Sequence, residues 1–304
     1  MFFRLDTKWK RDGIVVCGET GRGCQLNQLD TPIGICIDEN DQTLYICDSK
    51  NHRIIEWKKG ALNGRIIAGG NGQGDQSNQL NEPSAIVVDH EMNTLIIADT
   101  GNRRVIECSR RNQNMNVHVR ISNIDCYSLA LDKDGSLYVC DHVKNEIKKW
   151  KRGDNEDRGI VVAGGNGQGE NLNQLDSPNY IFVDDDYTVY VSDTDNYRVV
   201  KWIKNAREGI IVAGGNGDGD SLNALDCPRG IFVDRLGRIY VSDCENNRVM
   251  RWCEGDEEGY LVVGGNKKDS QFKNTEGLTF DREGNLYVVD SLNHRIMKFE
   301  LDFN

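Results

Sequence analysis

The segment Leu44-Tyr-Ile-Cys-Asp48 decides the fold, because it returns five times along the 304 residues. The later copies end at Asp99, Asp141, Asp193, Asp243 and Asp290, and neighbouring copies stand 42 to 52 residues apart. Six similar apolar runs, each closed by an aspartate, indicate an internal repeat of about fifty residues. Such a period is typical of solenoids and propellers.

Each repeat contains four short runs typical of β-strands, separated by turn residues. In the fourth repeat the runs are Ile181–Val183, Val189–Ser192, Arg198–Trp202 and Gly209–Ala213. β-Branched residues fill them, and none keeps a 3.6-residue apolar period long enough for a helix. Six such units predict an all-β fold, a six-bladed β-propeller with four-stranded antiparallel blades.

The two ends of the chain predict how the ring closes. The sixth repeat stops after its third strand, whereas an unassigned strand of the fourth type, Gly13–Cys17, precedes the first repeat. We therefore expect the N-terminal strand to join the last blade and cover its open edge. On this interpretation residues 1–304 form a single propeller domain.

Three motifs of the repeat resemble the NHL repeat family over nearly the whole chain: Pro-x-Gly-Ile-x-Val-Asp, Tyr-Val-x-Asp and Asn-x-Arg-Val/Ile. The glycine-rich connectors, such as residues 213–219, resemble that family too. The resemblance implies a propeller but identifies a function poorly, because one fold hosts unrelated activities. The family includes RNA-binding and protein-binding propellers, and related six-bladed propellers include metal-dependent lyases and hydrolases.

Composition narrows the classes of partner. A net charge of −11 disfavours nonspecific binding to nucleic acid or to anionic membranes. No apolar run is long enough to cross a bilayer, and neither a signal peptide nor an Asn-x-Ser/Thr acceptor is found. We expect a monomeric domain without membrane insertion, in the cytoplasm rather than outside the cell.

The chain offers no recognisable catalytic motif. Its ten cysteines include no Cys-x-x-Cys pair, and several stand where sister repeats carry Ala, Ser, Phe or Trp, so we expect reduced thiols in small buried positions. None of the five histidines begins an innermost strand, and no Gly-x-Ser-x-Gly sequence is present. We therefore expect no catalytic residue, no bound metal and no cofactor.

The most frequent polar motif, Asp-x-x-Asn-x-Arg, follows the second strand in five repeats, for example at Asp193, Asn196 and Arg198. Five near-identical copies favour a structural role that the blades share. Asp and Asn can hold the turn through backbone hydrogen bonds, and Arg can pair with the Asp.

The channel mouth is the first candidate site. Aligned innermost strands place one residue of each blade beside the axis, namely Ile33, Ser84, Tyr127, Asn179, Arg229 and Glu276. Because these residues differ between blades, they can hold a small polar ligand. The alternative is a water-filled channel mouth without a function.

Blade three is the second candidate site. Lys144 and Glu146 replace the Asn and Arg of the motif, and the connector before this blade has lost its glycines and its proline. Arg110, Arg111 and Arg120 lie nearby and form a basic cluster on an acidic protein. Either this repeat has decayed, or these three arginines and Lys144 form a partner surface.

These observations favour a non-enzymatic binding or scaffold propeller that recognises a protein or peptide. A small basic patch on an acidic background suits an acidic segment of a partner better than a nucleic acid. An RNA-binding propeller and a metal-dependent lyase or hydrolase are the alternatives that the resemblance leaves open.

Overall fold

The computed structural model describes residues 7–38, 40–110, 117–153, 158–265 and 271–302. These residues form six four-stranded antiparallel sheets, which are the blades of a β-propeller, as the sequence predicts. Four single-turn 3-10 helices follow second strands, at Ser49–Asn51, Thr100–Asn102, Thr194–Asn196 and Ser291–Asn293. Within the described ranges no helix is long and apolar enough to span a membrane.

The strands have the following bounds. β1 (Lys8–Trp9) and β2 (Ile14–Cys17) precede blade one, which holds β3 (Pro32–Asp38), β4 (Thr43–Asp48), β5 (Arg53–Trp57) and β6 (Arg65–Gly69). Blade two holds β7 (Ala85–Asp89), β8 (Thr94–Asp99), β9 (Arg104–Ser109) and β10 (His118–Ser122). Blade three holds β11 (Cys126–Leu131), β12 (Leu137–Asp141), β13 (Glu146–Trp150) and β14 (Ile160–Gly164). Blade four holds β15 (Pro178–Val183), β16 (Val189–Asp193), β17 (Arg198–Trp202) and β18 (Ile210–Gly214). Blade five holds β19 (Pro228–Val233), β20 (Ile239–Asp243), β21 (Arg248–Trp252) and β22 (Tyr260–Gly264). Blade six holds β23 (Thr275–Phe280), β24 (Leu286–Asp290) and β25 (Arg295–Phe299), and β26 (Leu301–Asp302) follows it.

The N-terminal strand closes the ring, which confirms the prediction. β2 pairs with β25 as the fourth strand of blade six, with Ile14 opposite Lys298 and Cys17 opposite Ile296. A second pairing joins β1 to β26. Trp9 on β1 is buried, and its indole nitrogen donates a hydrogen bond of 2.9 Å to the carbonyl oxygen of Gly284.

The hydrophobic core consists of six layers, one in each seam between neighbouring blades. In each seam, a large apolar residue of the connector between the blades is buried in that layer. These residues are Leu29, Leu80, Ile124, Leu175, Leu225 and Phe272. The connectors are therefore part of the core in those seams, because each one fills space between two sheets.

The cysteines are free thiols. Six of the ten are buried, including Cys17, Cys47 and Cys108, which matches the expectation of small buried residues. Cys24 is exposed, and Cys36, Cys227 and Cys253 are partly buried.

Candidate functional site

The repeated Asp-x-x-Asn-x-Arg motif builds the same hydrogen-bonded turn in five blades. In blade four, Nε of Arg198 donates to Oδ2 of Asp193 at 2.7 Å, and Nδ2 of Asn196 donates to the same oxygen at 2.8 Å. The backbone amide of Asp176 donates to Oδ1 of Asp193 at 2.6 Å. Burial raises the pKa of Asp193, and these three donors oppose that rise. The motif is therefore structural, as the sequence predicts.

The same motif also fastens the connector that precedes its blade. Nη1 of Arg198 donates to the carbonyl oxygen of Glu170, and Nδ2 of Asn196 donates to that of Gly169. The motif arginines of the other four blades reach their own connectors at the carbonyl oxygens of Cys24, Asp75, Asp220 and Gln271. Connector and arginine therefore depend on each other.

Blade three lacks both parts of this arrangement. Residues 123–125 alone join β10 to β11, whereas residues 165–177 join β14 to β15. Glu146 occupies the position of the motif arginine, which has no long connector to bind in this blade. The carboxylate of Glu146 pairs with Nζ of Lys148 at 2.6 Å. Lys144 lies 3.5 Å from Oδ2 of Asp141 and replaces the motif arginine as its cation.

Asp141 is the exception among the six motif aspartates. Its side chain is fully buried, yet Oδ2 accepts no hydrogen bond from the described residues. Oδ1 accepts only a long one, 3.3 Å, from the amide of Lys144. Each of the other five carboxylates accepts a backbone amide of its preceding connector at 2.6 to 2.7 Å. The buried carboxylate of blade three is thus short of donors.

A groove lies beside this short connector, and Asn123 and Ile124 form part of its wall. It has a volume of about 1210 Å³ and runs along the seam between β10 of blade two and β13 of blade three, past Asp141 and Trp150. Among the described residues, six cationic side chains line it, namely Arg120, Lys144, Lys148, Lys151, Arg152 and Arg158. Four of them pair with carboxylates, namely Arg120 with Glu107, Lys144 with Asp141, Lys148 with Glu146, and Arg152 with Asp89 and Glu91. Lys151 and Arg158 have no ion pair within the described part of the chain.

The residues predicted for a blade-three partner surface divide into three groups. Arg120 and Lys144 line the groove, and Arg120 lies 3.6 Å from Glu107. Arg110 turns instead towards blade one, where its guanidinium pairs with the buried carboxylate of Asp38 and contacts the hydroxyl of Tyr45. Its placement in the surface therefore needs correction, because this charge is used within the fold. Arg111 lies outside the described residues.

The structure brings three of the predicted channel-mouth residues together. Nη1 of Arg229 lies 3.5 Å from the hydroxyl of Tyr127, and Nε of Arg229 lies 4.0 Å from Oε1 of Glu276. Burial raises the pKa of Glu276, while Arg229 and a hydrogen bond from Tyr180 lower it. The result is a buried, charged cluster on the axis.

Of the other three predicted residues, Ile33 is partly buried and its carbonyl oxygen accepts a hydrogen bond of 3.1 Å from the hydroxyl of Tyr180. Ser84 and Asn179 are buried. Oγ of Ser84 donates to the carbonyl oxygen of Tyr127 at 2.5 Å, and Nδ2 of Asn179 donates to Oγ1 of Thr194 at 2.7 Å. Both side chains therefore hold neighbouring segments together rather than facing an opening. Below the mouth, the channel encloses about 250 Å³ with a mostly apolar lining that includes Ile35 and Phe280.

Blade five holds a cluster that the sequence analysis missed. The thiol sulfurs of Cys227 and Cys244 and a carboxylate oxygen of Glu245 all lie within 4.8 Å of one another. A hydrogen bond from Cys244 and the nearby charge of Arg229 lower the pKa of Cys227. The same hydrogen bond and burial raise the pKa of Cys244.

A comparison of the repeats could have revealed this cluster. Cys227 stands just before an innermost strand, and Cys244 follows the motif aspartate directly. These two positions lie side by side in every blade, because backbone hydrogen bonds join the segments, as from the amide of Glu245 to the carbonyl oxygen of Asp226. Tyr180 was missed because the alignment of innermost strands selected its neighbour, Asn179.

A comparison with protein families supports the repeat assignment. The model of the NHL repeat matches residues 29–56 and 225–251, which are parts of blades one and five. No curated protein has a significantly similar sequence.

Solved propellers of several functions share the fold. Virginiamycin B lyase from Staphylococcus aureus, in a catalytically inactive form with quinupristin, has a TM-score of 0.61 at 12% identity, over 97% of this chain and 100% of that one. A gluconolactonase from Xanthomonas campestris has a TM-score of 0.64 at 14% identity, over 97% of each chain. An auxiliary nutrient-binding protein from Bacteroides thetaiotaomicron has a TM-score of 0.71 at 14% identity, over 90% of this chain and 69% of that one. Identities this low show the fold alone.

Proposed function

Starting from a six-bladed β-propeller with NHL repeats, we propose that this protein is a non-enzymatic binding module that takes an acidic peptide segment of a protein partner into the groove between blades two and three. One observation carries the proposal. The long connector of the other five seams is reduced here to residues 123–125, and the buried carboxylate of Asp141 is left without the connector amide that its five counterparts accept.

A peptide segment can supply what the connector supplies elsewhere. One of its backbone N–H groups would donate to Asp141, as the amide of Asp176 donates to Asp193 in blade four. An apolar side chain would pack in the groove against Ile124 and Trp150, which line it. The peptide would thus take the role that a connector has in the other seams. Because the groove is already formed, the conformational entropy lost on binding would come mainly from the peptide.

The charges around the groove define the chemistry of the segment. Lys151 and Arg158 are exposed at its rim, and Arg120 lies half-buried on β10. Acidic side chains that flank the apolar residue would meet these cations. Complementary charge of this kind sets partner choice and association rate more than affinity.

The arrangement of the remaining arginines supports a protein partner over RNA. The five motif arginines each pair with an aspartate and bond connector carbonyl oxygens. They are therefore engaged inside the fold, whereas an RNA-binding face needs free cations and stacking aromatics over a broad surface.

Selection from a displayed library of random peptides tests the proposal. We expect the protein to enrich peptides with one large apolar residue flanked by Asp or Glu. The double variant Lys151→Glu with Arg158→Glu should lose at least about 10-fold in affinity for a selected peptide, since two attractive charges become repulsive.

The matched control lies in blade four, where Lys204 and Arg207 are exposed in the corresponding loop. Lys204→Glu with Arg207→Glu changes the net charge equally and should leave affinity unchanged. Equal loss in both double variants, or enrichment of RNA but not of acidic peptides in a parallel selection, would contradict the proposal.

A further inference from the structure

We propose that Cys227, Cys244 and Glu245 form a binding site for one zinc ion at the edge of the channel mouth in blade five. The two thiol sulfurs and the carboxylate oxygen already lie within 4.8 Å of one another. A tetrahedral zinc ion with Zn–S bonds of ~2.3 Å places two sulfurs about 3.8 Å apart, so only small side-chain adjustments are needed. This proposal departs from the sequence-based expectation of no bound metal.

The backbone holds the ligands in place before any ion arrives. The amide of Cys244 donates to the carbonyl oxygen of Cys227 at 3.4 Å, and that of Glu245 donates to Asp226 at 3.2 Å. These two bonds join the segment before β19 to the segment after β20. Ligands on segments fixed in this way lose little freedom when they bind a metal.

The sister blades show that the fold does not require thiols here. Backbone hydrogen bonds of the same pattern identify the equivalent positions, and the residues there are Thr31, Ser49 and Lys50; Glu82, Thr100 and Gly101; Asp125, His142 and Val143; Ser177, Thr194 and Asp195; and Asn274, Ser291 and Leu292. Blade five is the one that combines two cysteines with an acid. In blade four, Oγ of Ser177 donates to Oδ2 of Asp195 at 2.5 Å, so side chains at the first and third positions do meet.

The donor set selects the metal. Two thiolates favour zinc or another thiophilic ion over magnesium or calcium, which prefer oxygen ligands alone. Cys244 is buried, Cys227 is partly buried and Glu245 is exposed, so the site opens towards solvent on the carboxylate side. Three protein ligands leave a fourth position for water or for a donor atom of another molecule. The charge of Arg229 beside the site is balanced by Glu276.

Titration of the reduced, metal-free protein with Co²⁺ tests the proposal, because cobalt replaces zinc in such sites and its thiolate complexes absorb light. We expect one equivalent to bind with thiolate-to-cobalt absorption, and Zn²⁺ to displace it. Mutation of residues that only hydrogen-bond to metal ligands weakens metal binding ~10–100-fold. Removal of two ligands should cost more, so we expect Cys227→Ser with Cys244→Ser to weaken cobalt binding more than about 100-fold. Glu245→Gln should keep the thiolate absorption but bind about 10-fold more weakly.

Two controls separate ligation from folding and from general thiol binding. Serine stands at the equivalent of Cys227 in blade four with a similar backbone, φ 50° against 57°, and at the equivalent of Cys244 in blade one, so the double variant should fold normally by circular dichroism. Cys24→Ser with Cys253→Ser should bind cobalt like the unchanged protein. The proposal is overturned if the cobalt spectrum survives in the Cys227/Cys244 double variant, if the unchanged protein binds no cobalt, or if the two thiols form a disulfide that persists in reductant.

Discussion

The hydroxyl of Tyr180 in blade four donates a hydrogen bond of 3.1 Å to the carbonyl oxygen of Ile33 in blade one, across the axis of the propeller. The same hydroxyl lies 3.3 Å from Oε2 of Glu276 in blade six. One tyrosine therefore contacts residues of two other blades at the channel mouth. The groove between blades two and three is larger than the channel, about 1210 Å³ against about 250 Å³.

Removal of this hydroxyl should destabilise the ring. We expect Tyr180→Phe to lower the free energy of unfolding by about 1–3 kcal/mol, because the hydroxyl that contacts the carbonyl oxygen of Ile33 and the buried carboxyl group of Glu276 is lost. Urea denaturation followed by fluorescence measures the loss. Tyr187→Phe is the control, since that hydroxyl bonds Asp134 on the surface, and the expected change is below about 0.5 kcal/mol. Equal losses in both variants would show that Tyr180 is not a link between blades.

The buried carboxyl of Glu276 should make stability depend on pH. Burial raises its pKa above the ordinary value of 4.5, so the folded protein holds this proton more tightly than the unfolded chain does. The resulting stabilisation is complete below pH 4.5 and is lost as the pH rises through the raised pKa. We expect the unfolding free energy of the unchanged protein, minus that of Glu276→Gln, to fall over this interval and then to level off. If this difference in unfolding free energy rose with pH instead, the pKa of Glu276 would be lowered by folding, and the prediction would be wrong.

Ring closure through the N-terminus should be essential for stability. Deletion of residues 1–18 removes β2, exposes the edge of β25 and removes the buried Trp9, so we expect a lower melting temperature and aggregation. Trp9→Ala alone should cost about 3–5 kcal/mol. Leu62→Ala, at a side chain that is 84% exposed, is the matched control. A truncated protein with unchanged melting temperature and solubility would refute this prediction.

The sequence predicts the fold well because each blade repeats the same pattern of strands and turns. Six strands that end in an aspartate give the number of blades, and the additional strand at Gly13–Cys17 indicates how the ring closes. The structural role of the Asp-x-x-Asn-x-Arg motif was also predictable, because a motif that occurs in five blades serves something that those blades have in common. The repeat pattern did not predict that each motif arginine also bonds carbonyl oxygens of the preceding connector.

The candidate sites consist of residues that differ from the repeat. The sequence shows where these residues are, but it does not show which neighbours their side chains contact. The shortened connector and Glu146 marked blade three correctly as irregular. The direction of Arg110 was not predictable, because its partner Asp38 lies in another blade and 72 residues away. The meeting of Cys227 with Cys244 likewise depends on backbone pairing between two segments, which the linear spacing of cysteines does not display.

Restoring the missing connector should close the proposed peptide site. In the variant we suggest, residues 165–177 replace residues 123–125, with Lys144→Asn and Glu146→Arg to supply the side chains that fasten a connector. Its leucine would then replace Ile124 in the seam, and its backbone amide would donate to Asp141, as Leu175 and Asp176 do in blade four. We expect a fold as stable as the unchanged protein or more so, and loss of binding to the selected acidic peptides by at least about 100-fold, because the site is filled from within the chain. The control carries Lys144→Asn and Glu146→Arg without the longer connector, and should still bind peptide. Full affinity in the grafted, correctly folded variant, measured by calorimetry, would place the peptide elsewhere on the propeller.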